Sequence, residues 1–203
     1  MRLFLVRHGE TESNRLSLAL GRDDVPLNER GLWQAERVAQ ALAREPLTAV
    51  YSSPLRRTLD TASAVAAPHG LDVRIERGLI EMDVGEVDGL TFAEVGSRYP
   101  GLLEAWASDE GPSKPLPGGE SLVDVDERAW ATVQDLAARH ADETVAAVTH
   151  NFVILSLLIR VLGIRLAQFR HLRHSLAAVS IVDFLPTRAV LVRLNDTCHL
   201  EAD

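Results

Sequence analysis

The chain has 203 residues, 46% hydrophobic and 25% charged, with 21 Lys and Arg against 29 Asp and Glu for a formal net charge of −8. This is a globular composition with room for one large core, and its acidic balance argues against a nucleic-acid partner. The sole cysteine, Cys198, excludes a disulfide framework, and the apolar runs are too short for a secretory signal or a membrane span, so the cytoplasm is the expected compartment.

The first predicted element is a strand over Leu3 to Val6, which stops at Arg7-His8-Gly9 and gives way to the polar stretch Glu10 to Asn14. A buried strand of an α/β sheet delivers its C-terminal end to the crevice where such folds bind ligands. An imidazole held there can attack, a guanidinium can bind phosphate oxygens in fork geometry, and a glycine lets a ligand approach the backbone. Asn28 to Ala43 reads as a helix with Leu32, Ala35, Val38, Ala39 and Leu42 on one face. Thr48 to Tyr51 is a short strand ending in Ser52-Ser53-Pro54. Leu55 to Ala67 returns as a helix whose first N–H groups are expected to face the same crevice.

Val73 to Ile75 is a third strand, and residues 91 to 108 read as one or two short helices. The Pro/Gly-rich stretch Gly111 to Gly119 reads as a loop. Ser121 to His140 is a long helix opened by a capping box of Ser121 and Asp124. The strand Val145 to Val148 ends in Thr149-His150-Asn151, just before a helix over Phe152 to Leu162. Val179 to Phe184 and Ala189 to Leu194 close the chain as a hairpin. The alternation predicts an α/β fold, a three-layer α/β/α sandwich whose central sheet is mostly parallel with an antiparallel edge. Residues 1–203 are expected to form one domain, with a short cap over about residues 86–118.

Strand ends thus supply Arg7 and His8, the Ser53-Pro54-Leu55-Arg56-Arg57 turn, and His150, while a further loop holds Glu81. Two histidines and two arginines around one carboxyl suit a phosphate ester. Cations bind the oxygens, one imidazole attacks phosphorus, and the carboxylic acid protonates the leaving oxygen.

The ordered set resembles the histidine phosphatase superfamily, the phosphoglycerate-mutase-like group, over nearly the whole chain. The pieces are Leu5-Val6-Arg7-His8-Gly9-Glu10-Thr11-Glu12-Ser13-Asn14, Gly21-Arg22-Asp23-Asp24 through Gly31 and Gln34-Ala35, and Ser53 to Thr58 ahead of Thr61-Ala62. Glu81 ahead of Gly85 and Gly89, Pro117 to Ser121, and Val148-Thr149-His150 follow in order. The resemblance implies that His8 becomes phosphohistidine, that Arg7, Arg57 and His150 form the phosphate pocket, and that Glu81 is the proton donor. Asn14, Arg22, Thr149 and Asn151 are carried as substrate-binding candidates. No metal and no cofactor is implied, because the cationic side chains do what a metal would do for the transferring group. Asn151 stands where the family usually has glycine, and Val87-Asp88 where it usually has Trp-Glu.

The remaining histidines read as surface or loop residues, with a minority role for His174 or Ser175 at the pocket edge. His171 and His174 lack a third metal ligand. Asp124 and Asp126 read as helix-start acids, Glu10 and Glu12 as loop structure, and Glu120 as a candidate pocket neighbour. Between Glu86 and Ser113 the cover carries Glu86, Asp88, Glu94, Glu104, Asp109 and Glu110 against Arg98, which disfavours a polyanionic cofactor. The expectation is therefore a metal-independent phosphatase acting on a small phosphorylated metabolite. A cofactor-dependent phosphoglycerate mutase and a catalytically silent phosphate-binding module are the alternatives. Neither nucleic acid nor membrane is an expected partner, and a homodimer is the candidate assembly.

Overall fold

A computed structural model describes residues 1–201; the last two positions of the expected 1–203 domain lie outside the described residues. The strands are β1 (Arg2–Arg7), β2 (Leu47–Ser52), β3 (Val73–Ile75), β4 (Thr144–Thr149), β5 (Val179–Leu185) and β6 (Arg188–Asp196). They form one sheet in the order β3-β2-β4-β1-β5-β6, the first four parallel and the last two antiparallel to their neighbours. The helices are α1 (Glu12–Arg15), α2 (Glu29–Leu42), α3 (Arg56–Ala66), α4 (Phe92–Arg98), α5 (Leu102–Trp106), α6 (Leu122–Arg139) and α7 (Asn151–Leu162).

Period-two alternation sends Leu3 and Leu5 to one face of the sheet and Phe4 and Val6 to the other. Leu3 and Leu5 join Ala49, Val145 and Ala147 under α6 and α7, while Phe4 and Val6 join Val50, Ala146 and Val148 under α2 and α3. The expected three layers and the antiparallel edge are therefore present. Strands buried on both faces read as continuous apolar runs, which is how β1 and β4 look in the sequence. Among the described residues no helix is long and apolar enough to cross a membrane.

Local chemistry places the helix ends. Asn28 caps α2 by accepting from the Gly31 amide at 2.8 Å, and Ser121 with Asp124 forms the expected capping box on α6. The stretch read as polar loop contains α1, one turn opened by a reciprocal box between Thr11 and Asn14. The glycine after His8 serves packing rather than ligand approach. A Cβ on Gly9 would meet the Gly31 carbonyl oxygen at 2.4 Å, and one on Gly31 the Glu10 carbonyl oxygen at 2.0 Å. The first turn of α2 thus lies directly on the loop that follows β1.

His140 and His174, expected at the surface, and the helix-start acid Asp126 are buried on tertiary partners, with His174 Nδ1 left without one. His140 bonds the Tyr51 hydroxyl at 2.9 Å through Nε2 and Glu143 at 2.7 Å through Nδ1. His174 reaches the Ser180 hydroxyl at 2.9 Å. Asp126 is buried in an ion pair with Arg160 that ties α6 to α7.

Candidate active site

Neighbouring strand ends set the centre of the site. In the parallel β1–β4 pair, Val6 lies opposite Val148 and Arg7 opposite Thr149, so His8 and His150 each follow directly on a paired residue. The His8 amide donates to the Thr149 carbonyl at 3.1 Å, and the His8 carbonyl accepts from the Ala177 amide at 3.1 Å. The two imidazole rings end 5.2 Å apart, centroid to centroid, at 60° to one another.

His8 Nδ1 lies 2.7 Å from the Gly9 carbonyl oxygen. A carbonyl only accepts, so Nδ1 carries the ring proton and Nε2 keeps its lone pair. Burial, and then the charges of Arg57 and Arg7, hold the ring neutral far below the usual histidine range. His150 is pushed the same way, by burial first and then by Arg57. Its Nε2 lies 2.7 Å from Ser53 Oγ, which itself accepts from the Leu55 amide at 3.4 Å. With the hydroxyl donating to Nε2, the ring proton sits on Nδ1, a buried nitrogen with no partner.

Both guanidiniums are aimed by backbone and amide acceptors. Arg7 Nη1 donates to Asn151 Oδ1 at 3.1 Å and to the His174 carbonyl at 2.5 Å. Arg57 donates to the carbonyls of Asp23 at 2.8 Å and Gly21 at 2.7 Å. The Gly21–Asp23 turn is in turn held by Asp88, whose carboxylate accepts from the amides of Gly21, Arg22 and Asp23. Among the described residues neither Arg7 nor Arg57 has a carboxylate within ion-pair distance, and the Nε of each is buried without a partner. Burial draws both down from their ordinary value, Arg7 to about 10.

Glu81 is buried on the stretch after β3. Its carboxylate accepts from the Met82 amide at 2.8 Å and the Phe152 amide at 3.4 Å, at the start of α7. Burial raises its pKa above the usual carboxylate range, against the opposing pull of that Met82 bond and of Arg57 and Arg7. Arg128 fixes this stretch by donating to the carbonyls of Gly78, Ile80 and Glu81 at 2.9, 2.6 and 3.1 Å.

A cavity of about 260 Å³ opens at the strand ends, lined by Arg7, His8, Asn14, Glu81 and Asn151 together with apolar side chains of α4, α5 and α7. Arg57 and His150 are fully buried and do not line it. Asn14 accepts from the Thr11 amide at 3.1 Å, so its NH2 is the group left to donate.

Two substrate-binding candidates have other work. Thr149 turns its hydroxyl to the Leu79 carbonyl at 2.6 Å, which anchors the Glu81 stretch. Arg22 does not line the cavity and pairs with Glu120 at 2.8 Å and Asp83 at 3.3 Å. The start of α3 is not a free N-terminus either, since the Arg56 amide donates to Asp24 at 2.7 Å. Arg128 and Asp88 were not picked out as site residues from the sequence, because both act through the backbone of distant segments. Ser53 had a signal in its place before Pro54.

The comparisons agree with this geometry. The family model described as histidine phosphatase superfamily (branch 1) matches residues 3–197. Phosphoserine phosphatase 1 of Hydrogenobacter thermophilus is 37% identical over 201 residues, covering 98% of this chain and 94% of that protein. Glucosyl-3-phosphoglycerate phosphatase of Mycolicibacterium vanbaalenii is 36% identical over 171 residues, covering 80% and 75%. Among solved structures, Bacillus stearothermophilus YhfR superposes with a TM-score of 0.93 at 29% identity, covering 98% of this chain and 99% of that one. A buried pair of imidazoles at adjacent strand ends, two guanidiniums and one carboxyl therefore belong to a chain that is a member of branch 1 of the histidine phosphatase superfamily.

Proposed function

We propose that this chain hydrolyses small phosphate monoesters through a phosphohistidine on His8. One observation carries the reading: Arg7 Nε and Arg57 Nε are buried donors without partners, both charges act on a neutral His8 imidazole whose Nε2 is free, and the His150 ring stands 5.2 Å away. Unpaired buried donors are costly, and together they make an anion site. Phosphoryl oxygens would accept from these groups and from Asn14. The Nε2 lone pair then forms the N–P bond while the ester P–O bond breaks, and Glu81 gives its proton to the departing alcohol oxygen. In the second half, water attacks phosphorus, Glu81 takes a water proton, and the N–P electron pair returns to Nε2, releasing phosphate.

The Arg7 and Arg57 charges do for the phosphoryl group what a metal does elsewhere, so the reaction is read as metal-independent. The acids of the cover, Glu86, Asp88, Glu94, Glu104, Asp109 and Glu110, favour hydrolysis over a mutase that must hold a polyanionic diphosphate. Residues 1–203 are read as one cytoplasmic domain with residues 86–118 as its cover, and the homodimer stays a proposal. The test is release of phosphate from p-nitrophenyl phosphate, with trapping of acid-labile phosphoprotein in rapidly quenched enzyme. Absence of both would reduce the chain to a phosphate-binding module. Rapid interconversion of 2- and 3-phosphoglycerate with bisphosphoglycerate would make it a mutase.

A further inference from the structure

Away from the phosphate end, the cavity wall is hydrocarbon. Val84 and Val87 line it together with Leu102, Leu103 and Trp106 of α5 and Phe152 of α7. The Trp106 ring is wedged edge-to-face against Phe152 at 5.4 Å and 88°, and against Phe169 at 5.0 Å and 64°. This wall is therefore stiff and is fixed to α7, the helix that starts at the second histidine. Phe92, on the first turn of α4, lines the same cavity while 68% of its surface stays exposed. An aromatic ring that open to water at a cavity mouth marks a surface that gains by being covered.

The charge inventory points the same way. Among the described residues the basic side chains that line the cavity are Arg7 and His8, both committed to the phosphate end. The nearby guanidiniums of Arg22 and Arg128 do not line it and are paired with Asp83 and Glu120 or with backbone carbonyls. A carboxylate on the leaving group would lose its water without gaining a cation.

We propose that the substrate is the phosphate ester of an uncharged, largely apolar alcohol, whose hydrocarbon part packs against Phe92, Leu103 and Trp106. This rests on the phosphatase reading and makes those three residues determinants of specificity. The substrates named for the two curated relatives both carry a carboxylate, so this chain would part from them in selectivity.

Steady-state kinetics on 3-phenylpropyl phosphate, O-phospho-L-serine and 3-phosphoglycerate tests this. All three are esters of aliphatic alcohols, which keeps leaving-group acidity from deciding the ranking. The expected result is kcat/KM for 3-phenylpropyl phosphate about tenfold or more above each of the others, mostly through KM. Phe92→Arg, at an exposed position, should raise KM for 3-phenylpropyl phosphate and lower it for 3-phosphoglycerate. Equal or better kcat/KM for either carboxylate ester in the wild type would overturn the assignment. A selectivity ratio unmoved by Phe92→Arg would remove Phe92 from the determinants. No turnover of any ester, p-nitrophenyl phosphate included, would instead take phosphatase activity itself from this chain.

Discussion

The Nδ1–H of His8 is bound to the carbonyl of the next residue, Gly9, at 2.7 Å, so the ring cannot turn Nδ1 toward a ligand without losing that bond. Nε2 is left as the one nucleophilic nitrogen. His8→Ala should lower kcat by about three orders of magnitude or more and abolish trapped phosphoprotein. His150→Ala keeps the nucleophile and should retain weak turnover, down about 10²–10³-fold. Quench-flow with a labelled ester measures both, and a His8→Ala protein that still labels would displace the nucleophile.

Activity against pH should be bell-shaped. The acid limb falls where His8 takes up a proton, below the usual histidine range, and the alkaline limb where Glu81 loses one, above the usual carboxylate range. Glu81→Gln should erase the alkaline limb and slow alkyl esters about 10²-fold. It should slow p-nitrophenyl phosphate much less, since nitrophenolate leaves without a proton. Equal losses on both substrates would deny Glu81 its role as acid.

Stability should depend on pH through the same histidines. Folding holds His8 and His150 neutral below their ordinary value of 6.5, so in that window the unfolded chain binds more protons than the native one. Stability is then lost as pH falls through the ordinary histidine range. The Tm should drop between about pH 7 and about pH 5, and the drop should be smaller in His8→Asn. An unchanged slope in that variant would place the acid sensitivity elsewhere.

Chelation should leave the rate unchanged, because the Arg7 and Arg57 guanidiniums supply the positive field. Vanadate, which takes up a five-coordinate oxyanion geometry, should inhibit competitively. Loss of activity in EDTA with recovery on adding a divalent cation would indicate a metallophosphatase.

Gly31→Ala should destabilise the fold by about 1–3 kcal/mol, since its new Cβ would stand 2.0 Å from the Glu10 carbonyl oxygen. Activity per folded molecule should fall as well, because the strained loop is the one that follows His8. Urea unfolding monitored by circular dichroism measures the first effect, and an unaltered midpoint would contradict the close packing of α2 on that loop.

The sheet was legible because β1 and β4 are buried on both faces and end abruptly in polar residues, so each strand and its C-terminal chemistry stand out together. Arg7, His8 and Asn151 were legible for the same reason and Glu81 through its place ahead of Gly85 and Gly89, and the structure brings all four to one cavity. Thr149 and Arg22 illustrate the limit. Both sit beside the site in sequence, yet each is used up by a partner, Leu79 or Glu120, from another part of the chain. The burial of His140, His174 and Asp126 likewise depends on Tyr51, Ser180 and Arg160, and no local pattern announces such partners. The single turn of α1 escaped because Asn14 closes its capping box, where the usual signal is Glu or Gln.

The pairing of Val6 with Val148 has a consequence for how such enzymes change. The gap between the two imidazoles is inherited from the spacing of adjacent strands, about 4.8 Å, rather than set by side-chain packing. Residues 89–118 belong to neither strand, so this stretch can be lengthened, shortened or relined without disturbing that gap, whereas Asp88 just before it must stay to hold the turn that aims Arg57. That stretch grafted from another member, with Asp88 kept, should bring its donor's preference along and leave the rate of phosphoryl capture nearly as it was.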